Sequence, residues 1–489
     1  MDIVIIGNGV AGIEAALTVR EREPAWNVTI ISEESDHFFS RTALMWVFSG
    51  QLSHRCIEPH ERDLYERLRI RRVRARAIGL DTASKRVLMA GDQPAVSYDR
   101  LLIACGSKPR PGVWPGSDLD GVGHFVTLQD LEWFETEVHG GPRHGGRPPR
   151  PGHHLAFSTP DSPYRPRPEV RGRRGGAPRE PAVSGGGLIG IEAVEVMHAA
   201  GLHPRFLIRE DWFWPIALEP REGRWISDRM SDHGVRVHLD ENVKELRGNS
   251  TLSTLVTDKG EYECDLCIIA IGVVPNTDWL RPSPQGEGPY RQVGEPVELQ
   301  DRSGAIVVDE HLSTSVPDVF AAGDCAAVRW YNGAVRPEQL WYTARDQGRV
   351  AGRSLLGDRR ASYDRGLWYN SAKLMDIEYT TAGLVNMNVE EERNWFYEEK
   401  GPVRSTTRVV LSGDRVIGFN LLGRRWNHAV MLRWIEERRS LAFVLDHLTE
   451  ASFDTELTPP LVIPASARQL DLPGAAPSVI PDRMPPPPV

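Results

Sequence analysis

The chain has 489 residues, with 58 Lys or Arg and 67 Asp or Glu, so its formal net charge is −9. At roughly 100–200 residues per domain, this length predicts about two to four domains, and the mildly acidic charge gives no general attraction to nucleic acid or anionic membranes. With 40% apolar residues, no uninterrupted apolar run of ~20 residues and only 5 cysteines, the chain is predicted to have no membrane span and no disulfide scaffold, and we expect a cytoplasmic protein.

The first predicted element is an apolar strand over residues 3–6, which lies too close to the start of the chain to leave room for a signal peptide. It leads into the turn 7–12 (GNGVAG), a helix over 13–20 and a second strand over 28–31, followed by Glu33. A strand, a G-x-G-x-x-G turn, a helix and an acid about 20 residues later are typical of a dinucleotide-binding unit.

The glycines of this turn have different physical roles. Gly7 permits the tight turn out of the strand, Gly9 lets the backbone approach a pyrophosphate, and Gly12 lets the helix pack closely on the strand. The helix N-terminus presents unpaired N–H groups to the phosphates. Glu33 follows at the spacing at which an acid reaches the ribose hydroxyls.

Residues 139–181 interrupt this pattern with 10 Pro, 8 Gly and 9 Arg against 3 acids. Such a composition cannot bury enough apolar surface to offset the entropy of ordering, so we predict a disordered linker or insertion. A basic tract can bind nucleic acid, but only Phe157 and Tyr164 interleave aromatic rings here, and we expect no nucleic-acid partner. The loop 281–300 and the Pro-rich tail 473–489 are also predicted to be unstructured.

The strand–turn–helix unit then recurs. The strand before the second turn is thin, with only residues 182–183 apolar, and the turn 185–190 (GGGLIG) leads into a helix over 191–196. A following strand over 206–208 ends before Glu210. The spacing predicts a second dinucleotide site.

Glu210 favours NADH, because an acid at this position bonds the ribose 2′-hydroxyl and repels a 2′-phosphate. Arg205 and Arg209 lie beside it and could accept a phosphate instead, so NADPH remains the alternative.

Cys264 and Cys267 form a C-x-x-C at the start of a predicted strand over 264–271. On a strand, positions i and i+3 lie ~10 Å apart, whereas a disulfide needs Cα atoms within about 7 Å. No second Cys or His pair lies at ligand spacing. We therefore expect buried, unpaired cysteines and no metal site.

The last predicted ordered region is 366–455. It contains predicted strands over 408–411 and 416–422, joined by a turn over 412–415 that indicates a hairpin.

Three further motifs can be compared with those of known protein families: 98–109 (YDRLLIACGSKP), 265–277 (DLCIIAIGVVPNT) and the stretch 307–324, which ends in VFAAGD. Together with the two glycine turns, they resemble the FAD-dependent pyridine nucleotide oxidoreductases. These flavoproteins have two dinucleotide domains and include rubredoxin, ferredoxin and nitrite reductases. The resemblance covers about 1–135 and 182–360.

The resemblance implies an α/β fold with two Rossmann-like domains, for FAD and NAD(P)H, and a C-terminal α+β interface domain. The implied boundaries are 1–135 and 301–360 for the FAD domain, 182–280 for the NAD(P)H domain and 366–455 for the interface domain. The third domain of this family serves dimer contacts or acceptor binding, so a homodimer is one expectation.

The resemblance also implies the cofactor-binding residues. Those of the first turn, the first crossover and the closing flavin motif are Gly7, Gly9, Val10, Ala11, Gly12, Glu33, Arg41, Ala104, Gly106, Gly323, Asp324 and Trp341. Those of the second turn and second crossover are Gly185, Gly187, Leu188, Ile189, Gly190, Glu210 and Gly272.

Two residues are candidates for catalysis by this resemblance. Glu192 falls where the family places a glutamate near the nicotinamide. Ser40-Arg41 resembles the Ser-Lys/Arg of rubredoxin-reductase-like members, in which a cation near the flavin could stabilise its anionic reduced form; the alternative is a surface cation. The stretch 36–44 has no redox cysteine, which makes the disulfide-reductase branch an unfavoured interpretation.

The predicted function is hydride transfer from NAD(P)H to FAD, with electrons passing on to an acceptor that the sequence does not identify. A small iron–sulfur protein, a quinone-like molecule and O₂ all remain open. The alternative function is a flavin- and NADH-binding sensor or assembly protein with little turnover.

Overall fold

The computed structural model describes residues 1–139, 180–281, 290–330, 333–387, 389, 391–400, 404–453, 456 and 459–468. The predicted insertion over 139–181, apart from its end residues, and the predicted tail over 473–489 lie outside the described residues.

The α-helices of the described residues range from one turn to four. They are α1 (Val10–Arg22), α2 (Leu44–Phe48), α3 (Leu64–Arg67), α4 (Leu128–His139), α5 (Leu188–Ala199), α6 (Pro220–Asp232), α7 (Trp341–Leu355), α8 (His428–Glu436) and α9 (Leu441–His447).

The strands of the described residues form two five-stranded parallel sheets, one five-stranded antiparallel sheet and several smaller antiparallel or mixed sheets. They are β1 (Asp2–Ile6), β2 (Asn27–Ser32), β3 (Ile70–Arg74), β4 (Ala77–Asp81), β5 (Arg86–Met89), β6 (Val96–Ser97), β7 (Arg100–Ile103), β8 (Ser107–Pro109), β9 (Val122–Gly123), β10 (Pro181–Ser184), β11 (Arg205–Ile208), β12 (Arg236–Leu239), β13 (Val243–Gly248), β14 (Leu252–Thr257), β15 (Glu261–Glu263), β16 (Leu266–Ile269), β17 (Val273–Pro275), β18 (Arg291–Val293), β19 (Ile306–Val307), β20 (Val319–Ala321), β21 (Ala326–Arg329), β22 (Val335–Pro337), β23 (Tyr369–Leu374), β24 (Ile377–Gly383), β25 (Glu392–Glu399), β26 (Ser405–Ser412) and β27 (Arg415–Leu422).

The first parallel sheet has the strand order β20-β7-β1-β2-β3. Its centre is β1, whose residues 3–6 are buried because parallel strands on both sides and helices on the faces cover them. The helix α1 follows β1 directly, as the first glycine turn predicts. This sheet and its helices form the expected first Rossmann-like domain.

The second parallel sheet has the order β12-β11-β10-β16-β9. All four residues of the thin strand β10 are buried, and it pairs with β11 on one side and β16 on the other. A central position in the sheet therefore stabilises a strand that the sequence marks only weakly. The short strand β9 pairs with β16, so a piece of the expected 1–135 segment completes this second sheet.

The expectation of an unstructured loop over 281–300 was wrong for its second half. Strand β18 pairs in parallel with β4, and Val297 is buried in the core of the first domain. The interaction is made by backbone groups, which composition does not reveal. Gly79 permits it, because a Cβ there would lie 2.0 Å from the Arg291 carbonyl oxygen.

The C-terminal region forms one antiparallel sheet in the order β23-β24-β27-β26-β25, with α8 and α9 packed on it. The predicted hairpin is confirmed as β26 and β27. We call this sheet and its helices the C-terminal domain.

A buried ion pair joins the C-terminal domain to α6 of the second Rossmann-like domain. The Arg408 guanidinium on β26 lies 3.1 Å from the Glu222 carboxylate, and both side chains are 0% exposed. Arg408 also donates to the Ala217 carbonyl oxygen at 2.7 Å, and Asn420 donates to Glu222 at 3.1 Å. These bonds provide the charge pairing that burial requires.

Within the described ranges, no helix combines the length and the apolar composition needed to cross a bilayer. The five cysteines are all unpaired, and Cys264 and Cys267 are buried as expected.

Candidate functional site

A large cavity of about 1880 Å³ connects the two glycine turns with the C-terminal domain. Most of the predicted site residues line it: Gly7, Gly9, Val10, Ala11, Glu33, Arg41, Ala104, Gly106, Gly187, Leu188, Ile189, Glu192, Gly272, Gly323, Asp324 and Trp341. The structure thus brings both turns to one cavity.

The first glycine turn, residues 7–12, is called the first cradle below. Each of its glycines has different surroundings. A Cβ on Gly7, which has φ +111°, would lie 2.0 Å from the Ala104 carbonyl oxygen. A Cβ on Gly12 would lie 2.1 Å from the Gly7 carbonyl oxygen, whereas a Cβ on Gly9 would meet nothing within 4 Å. Gly7 and Gly12 are therefore required by the protein's own packing, and Gly9 leaves open space above the helix.

The second glycine turn, residues 185–190, forms the second cradle and repeats this geometry. A Cβ on Gly185, with φ +123°, would lie 2.2 Å from the Ala270 carbonyl oxygen, and one on Gly190 would lie 2.0 Å from the Gly185 carbonyl oxygen. A Cβ on Gly187 would meet nothing within 4 Å. The duplication seen in the sequence therefore extends to individual contacts.

The cavity fits a dinucleotide cofactor. Space above Gly9 and Gly187 sits at the N-termini of α1 and α5, where unpaired N–H groups favour phosphates. Two buried donors, Trp341 Nε1 and Gln339 Nε2, line the cavity and have no hydrogen-bond partner among the described residues. Such donors need an acceptor, which a group bound in the cavity would supply. Gln339 was not predicted, because nothing in its local sequence marks it.

The Gly323–Asp324 pair closes the first cradle. The Gly323 N–H donates to the buried Gln347 Oε1 at 2.7 Å, and Ser107 Oγ donates to Asp324 at 2.7 Å. Burial raises the pKa of Asp324, against the opposing effect of the Ser107 hydrogen bond. These bonds fix the carboxyl group at the cavity wall.

Arg41 reaches the cavity, but it is paired. Its guanidinium donates to both carboxylate oxygens of Glu34, at 2.8 and 2.6 Å, and to the Val126 carbonyl oxygen at 2.8 Å. Burial opposes its charge, but the nearby carboxylates, Glu34 before Asp324 and Asp130, together outweigh this and raise the pKa of Arg41. The sequence did not indicate Glu34 as a partner. Arg41 is thus a fixed cation whose charge a carboxylate largely neutralises.

Glu192 lies on α5 where the second cradle meets the rest of the cavity. Burial raises its pKa to about 7. One helical turn further on, burial also raises the pKa of Glu195 to about 7, but Glu195 accepts a hydrogen bond from the Met375 N–H and does not line the cavity. Burial is thus the largest influence on the pKa of both acids, and they differ in access to the cavity.

The remaining predicted residues do not line the cavity. Gly12, Gly185 and Gly190 are covered by backbone, as their packing role requires. Glu210 also lies outside the lining and accepts a hydrogen bond from Arg209 Nε at 2.7 Å.

Cys105 lines the cavity but has the properties of a structural thiol. Its Sγ donates to the Asn276 carbonyl oxygen at 3.2 Å. A hydrogen bond with Cys325, together with burial, raises the pKa of Cys105 well above its ordinary value. A thiol in this state is a poor nucleophile at neutral pH.

The C-terminal domain adds residues that sequence reasoning missed. The segment Asn370–Lys373 of β23 lines the cavity, and Trp46, Trp133 and Trp214 lie on other parts of its wall. Only tertiary packing brings these side chains together, so no local motif could have found them. In the part of the chain that the structure describes, no group of three or more His, Cys, Asp or Glu side chains is arranged to hold a metal ion.

The fold has two Rossmann-like domains whose glycine turns open into one cavity. The chain matches the family described as pyridine nucleotide-disulphide oxidoreductase over residues 1–348, and it belongs to this family of FAD- and NAD(P)H-dependent oxidoreductases.

Similar proteins in this family differ in their named activities. The nitrite reductase [NAD(P)H] of Bacillus subtilis (strain 168) is 25% identical over 429 residues, which cover 86% of this chain and 45% of that protein. The ferredoxin reductase component of chlorobenzene dioxygenase from Cupriavidus sp. (strain PS12) is 26% identical over 357 residues, covering 73% and 74%. The chain therefore spans less than half of the first relative.

Among solved structures, the fold is similar to that of an NAD-dependent persulfide reductase from A. fulgidus. The TM-score is 0.75 at 19% identity, and the match covers 91% of this chain and 79% of that chain.

Proposed function

We propose that this protein transfers hydride from NADH to FAD and passes the electrons to an external acceptor rather than to a thiol of its own. The observation that carries the proposal is the pair of matching glycine cradles that open into one cavity. A common cavity would hold a nicotinamide and a flavin close together, and such positioning is the main contribution of the protein to hydride transfer.

In this proposal the first cradle binds FAD and the second binds NADH. Open space at Gly9 and Gly187 admits a pyrophosphate at each helix N-terminus. Bound FAD would supply the hydride-accepting and electron-donating chemistry. Glu192 would lie beside the nicotinamide, where a carboxylate favours the positive charge that the ring gains as it loses hydride.

The arginines near Glu210 support NADH over NADPH. Arg209 is paired with Glu210 at 2.7 Å. Arg205 lies over the Tyr262 ring at 4.5 Å and 3.6 Å from Glu180. Arg205 is engaged by these contacts, and the Glu210 carboxylate beside the exposed Arg209 would repel a 2′-phosphate. We expect kcat/KM to be higher for NADH than for NADPH, and equal values would contradict this part of the proposal.

An external acceptor is supported by the elements that follow Glu33. The 3₁₀ turn Arg41–Ala43 and helix α2 carry no cysteine at the cavity, and the Cys105 thiol is held protonated. The ferredoxin reductase relative supports a small redox protein as acceptor, and a small iron–sulfur carrier is our first choice. A quinone-like molecule and O₂ are the other two candidates.

The acceptor is tested by mixing anaerobically reduced protein with one oxidant at a time: a small ferredoxin, a soluble quinone, or air-saturated buffer. We expect reoxidation by the ferredoxin to be the fastest of the three. Faster reoxidation by the quinone or by O₂ would replace the first choice, and reoxidation by none would contradict the proposed electron transfer.

A further inference from the structure

The cavity wall includes one residue, Tyr290, from the loop 281–300 that local composition did not mark as ordered. Tyr290 lines the cavity together with Glu33 and the stretch 74–77, which runs from the last residue of β3 to the first residue of β4. Tyr290 is half-buried and packs against the core of the first domain. The residue thus belongs to the wall of the first cradle, although it lies more than 200 positions away in the chain.

The backbone after Tyr290 is fixed by several independent contacts. Strand β18 pairs with β4, with Arg291 opposite Gly79. Thr82 Oγ1 donates to the Glu295 carbonyl oxygen at 2.9 Å, and Gln292 Nε2 donates to the Trp279 carbonyl oxygen at 3.2 Å. The position of Tyr290 is therefore set by the domain's own sheet.

Tyr290 is also connected to the acid that ends β2. Arg76 Nη2 donates to Tyr290 Oη at 3.0 Å, and Arg76 Nε lies 3.9 Å from the Glu33 carboxylate. The Arg76 guanidinium lies 6.0 Å from the centre of the Tyr290 ring. Glu33, Arg76 and Tyr290 thus form a continuous row along the end of the cavity.

We propose that Tyr290 forms the adenine-binding wall of the FAD site. The inference rests on the proposed function, which places FAD in the first cradle. If the glycine turn holds the pyrophosphate and Glu33 holds the adenosine ribose, the base must lie beyond Glu33, where Arg76 and Tyr290 border the cavity. An aromatic ring offers an adenine a stacking surface, and Arg76 holds the ring from its hydroxyl end.

The test compares Tyr290→Leu with the wild-type protein in flavin binding. Leucine keeps apolar packing against the core but removes the ring. Apoprotein is titrated with FAD and, separately, with FMN, which lacks the adenosine half, and the change in flavin fluorescence gives each Kd. We expect the Kd for FAD to rise roughly tenfold or more and the Kd for FMN to stay unchanged.

Tyr290→Phe is the matched control, because it keeps the ring and loses only the hydroxyl group that Arg76 contacts. Its Kd for FAD should stay within a few-fold of wild type. An unchanged Kd for FAD in Tyr290→Leu, or an equal loss of FAD and FMN, would overturn the inference and leave the proposed function standing. A wild-type apoprotein that binds no FAD would instead overturn the proposed function.

Discussion

At the scale of single residues, the glycines of each turn fall into two groups, according to whether a Cβ atom at that position would clash with the protein. Cβ atoms on Gly7, Gly12, Gly185 and Gly190 would clash with backbone oxygen atoms of the protein itself. Those on Gly9 and Gly187 would enter the cavity without touching protein. Substitution at the two open positions therefore reports on bound ligands and not on folding.

We predict that Gly9→Ala and Gly187→Ala each weaken the binding of a different cofactor. Gly9→Ala should weaken FAD binding by about tenfold or more, because the methyl group occupies the space for a pyrophosphate. Gly187→Ala should leave FAD bound and raise the Kd for NADH by a similar factor. Titration of each variant with both ligands checks this, and thermal melting of the apoproteins should show only the small loss of stability that follows from alanine being a poorer N-cap than glycine. Equal loss of both ligands in either variant would contradict the assignment of one cradle to each cofactor.

The second prediction at this scale concerns pH. Because burial raises the pKa of Glu192 to about 7, the group is mainly protonated below that pH and mainly carboxylate above it. In the proposed function this carboxylate would favour the developing charge on the nicotinamide, so the rate constant of flavin reduction by NADH should increase as pH rises through about 7. Stopped-flow measurements across this range should show the increase in wild type and not in Glu192→Gln.

Glu195→Gln is the matched control for this pH dependence. Glu195 lies on the same helix and burial raises its pKa to about 7 too, but it bonds the Met375 N–H outside the cavity lining. Its substitution should leave the pH profile of flavin reduction unchanged. A flat profile in this variant would assign the titration to Glu195 and remove the role proposed for Glu192.

At the scale of elements, α6 is joined to the C-terminal domain by two ion pairs that differ in burial. Arg408 and Glu222 are fully buried, whereas the Arg229 and Asp376 side chains are 36% and 46% exposed. The buried pair is enclosed by further hydrogen bonds, including the one from Arg408 to Ala217. Because both pairs connect α6 with the C-terminal domain, a difference between their contributions to the free energy of unfolding reflects burial.

Arg408→Met should lower the free energy of unfolding by about 3–5 kcal/mol, because Glu222 is left buried without its counter-charge. Arg229→Met should lower it by about 0–1 kcal/mol, since an exposed pair is well solvated without its partner. Urea unfolding followed by tryptophan fluorescence measures both. If the two variants lose the same stability, the buried pair does not fasten the C-terminal domain as described.

The elements also show how far the sequence could predict the fold. Strand β1, helix α1 and the hairpin of β26 and β27 were predicted from local apolar patterns and turn residues, because local sequence determines them. The sequence could not predict that β10 is a fully buried central strand, or that β18 exists. Both depend on pairing with strands that are distant in the chain. The cradles could be predicted because, like α1, they are determined by local sequence. The Arg41–Glu34 pair and the cavity segment Asn370–Lys373 could not, because they depend on tertiary packing.

At the scale of the whole molecule, the basic segment 139–181 stands out against an otherwise acidic chain. We predict that it attracts an acidic carrier protein by long-range charge, an effect that salt screens. Deleting residues 140–179 should slow reoxidation of the reduced protein by an acidic iron–sulfur carrier at low salt, and leave reduction by NADH unchanged. The two rates are measured by stopped flow at low and high salt, and identical reoxidation rates for both proteins at low salt would exclude the role.

The central claim is that the two cradles bring NADH and FAD together in one cavity. Anaerobic titration of the FAD-loaded protein with NADH, followed by the visible absorbance of the flavin, tests it most directly. We predict that one equivalent of NADH per bound FAD bleaches the flavin rapidly and completely. A protein that binds FAD and NADH but keeps its flavin oxidised would contradict the claim and favour a binding role without turnover.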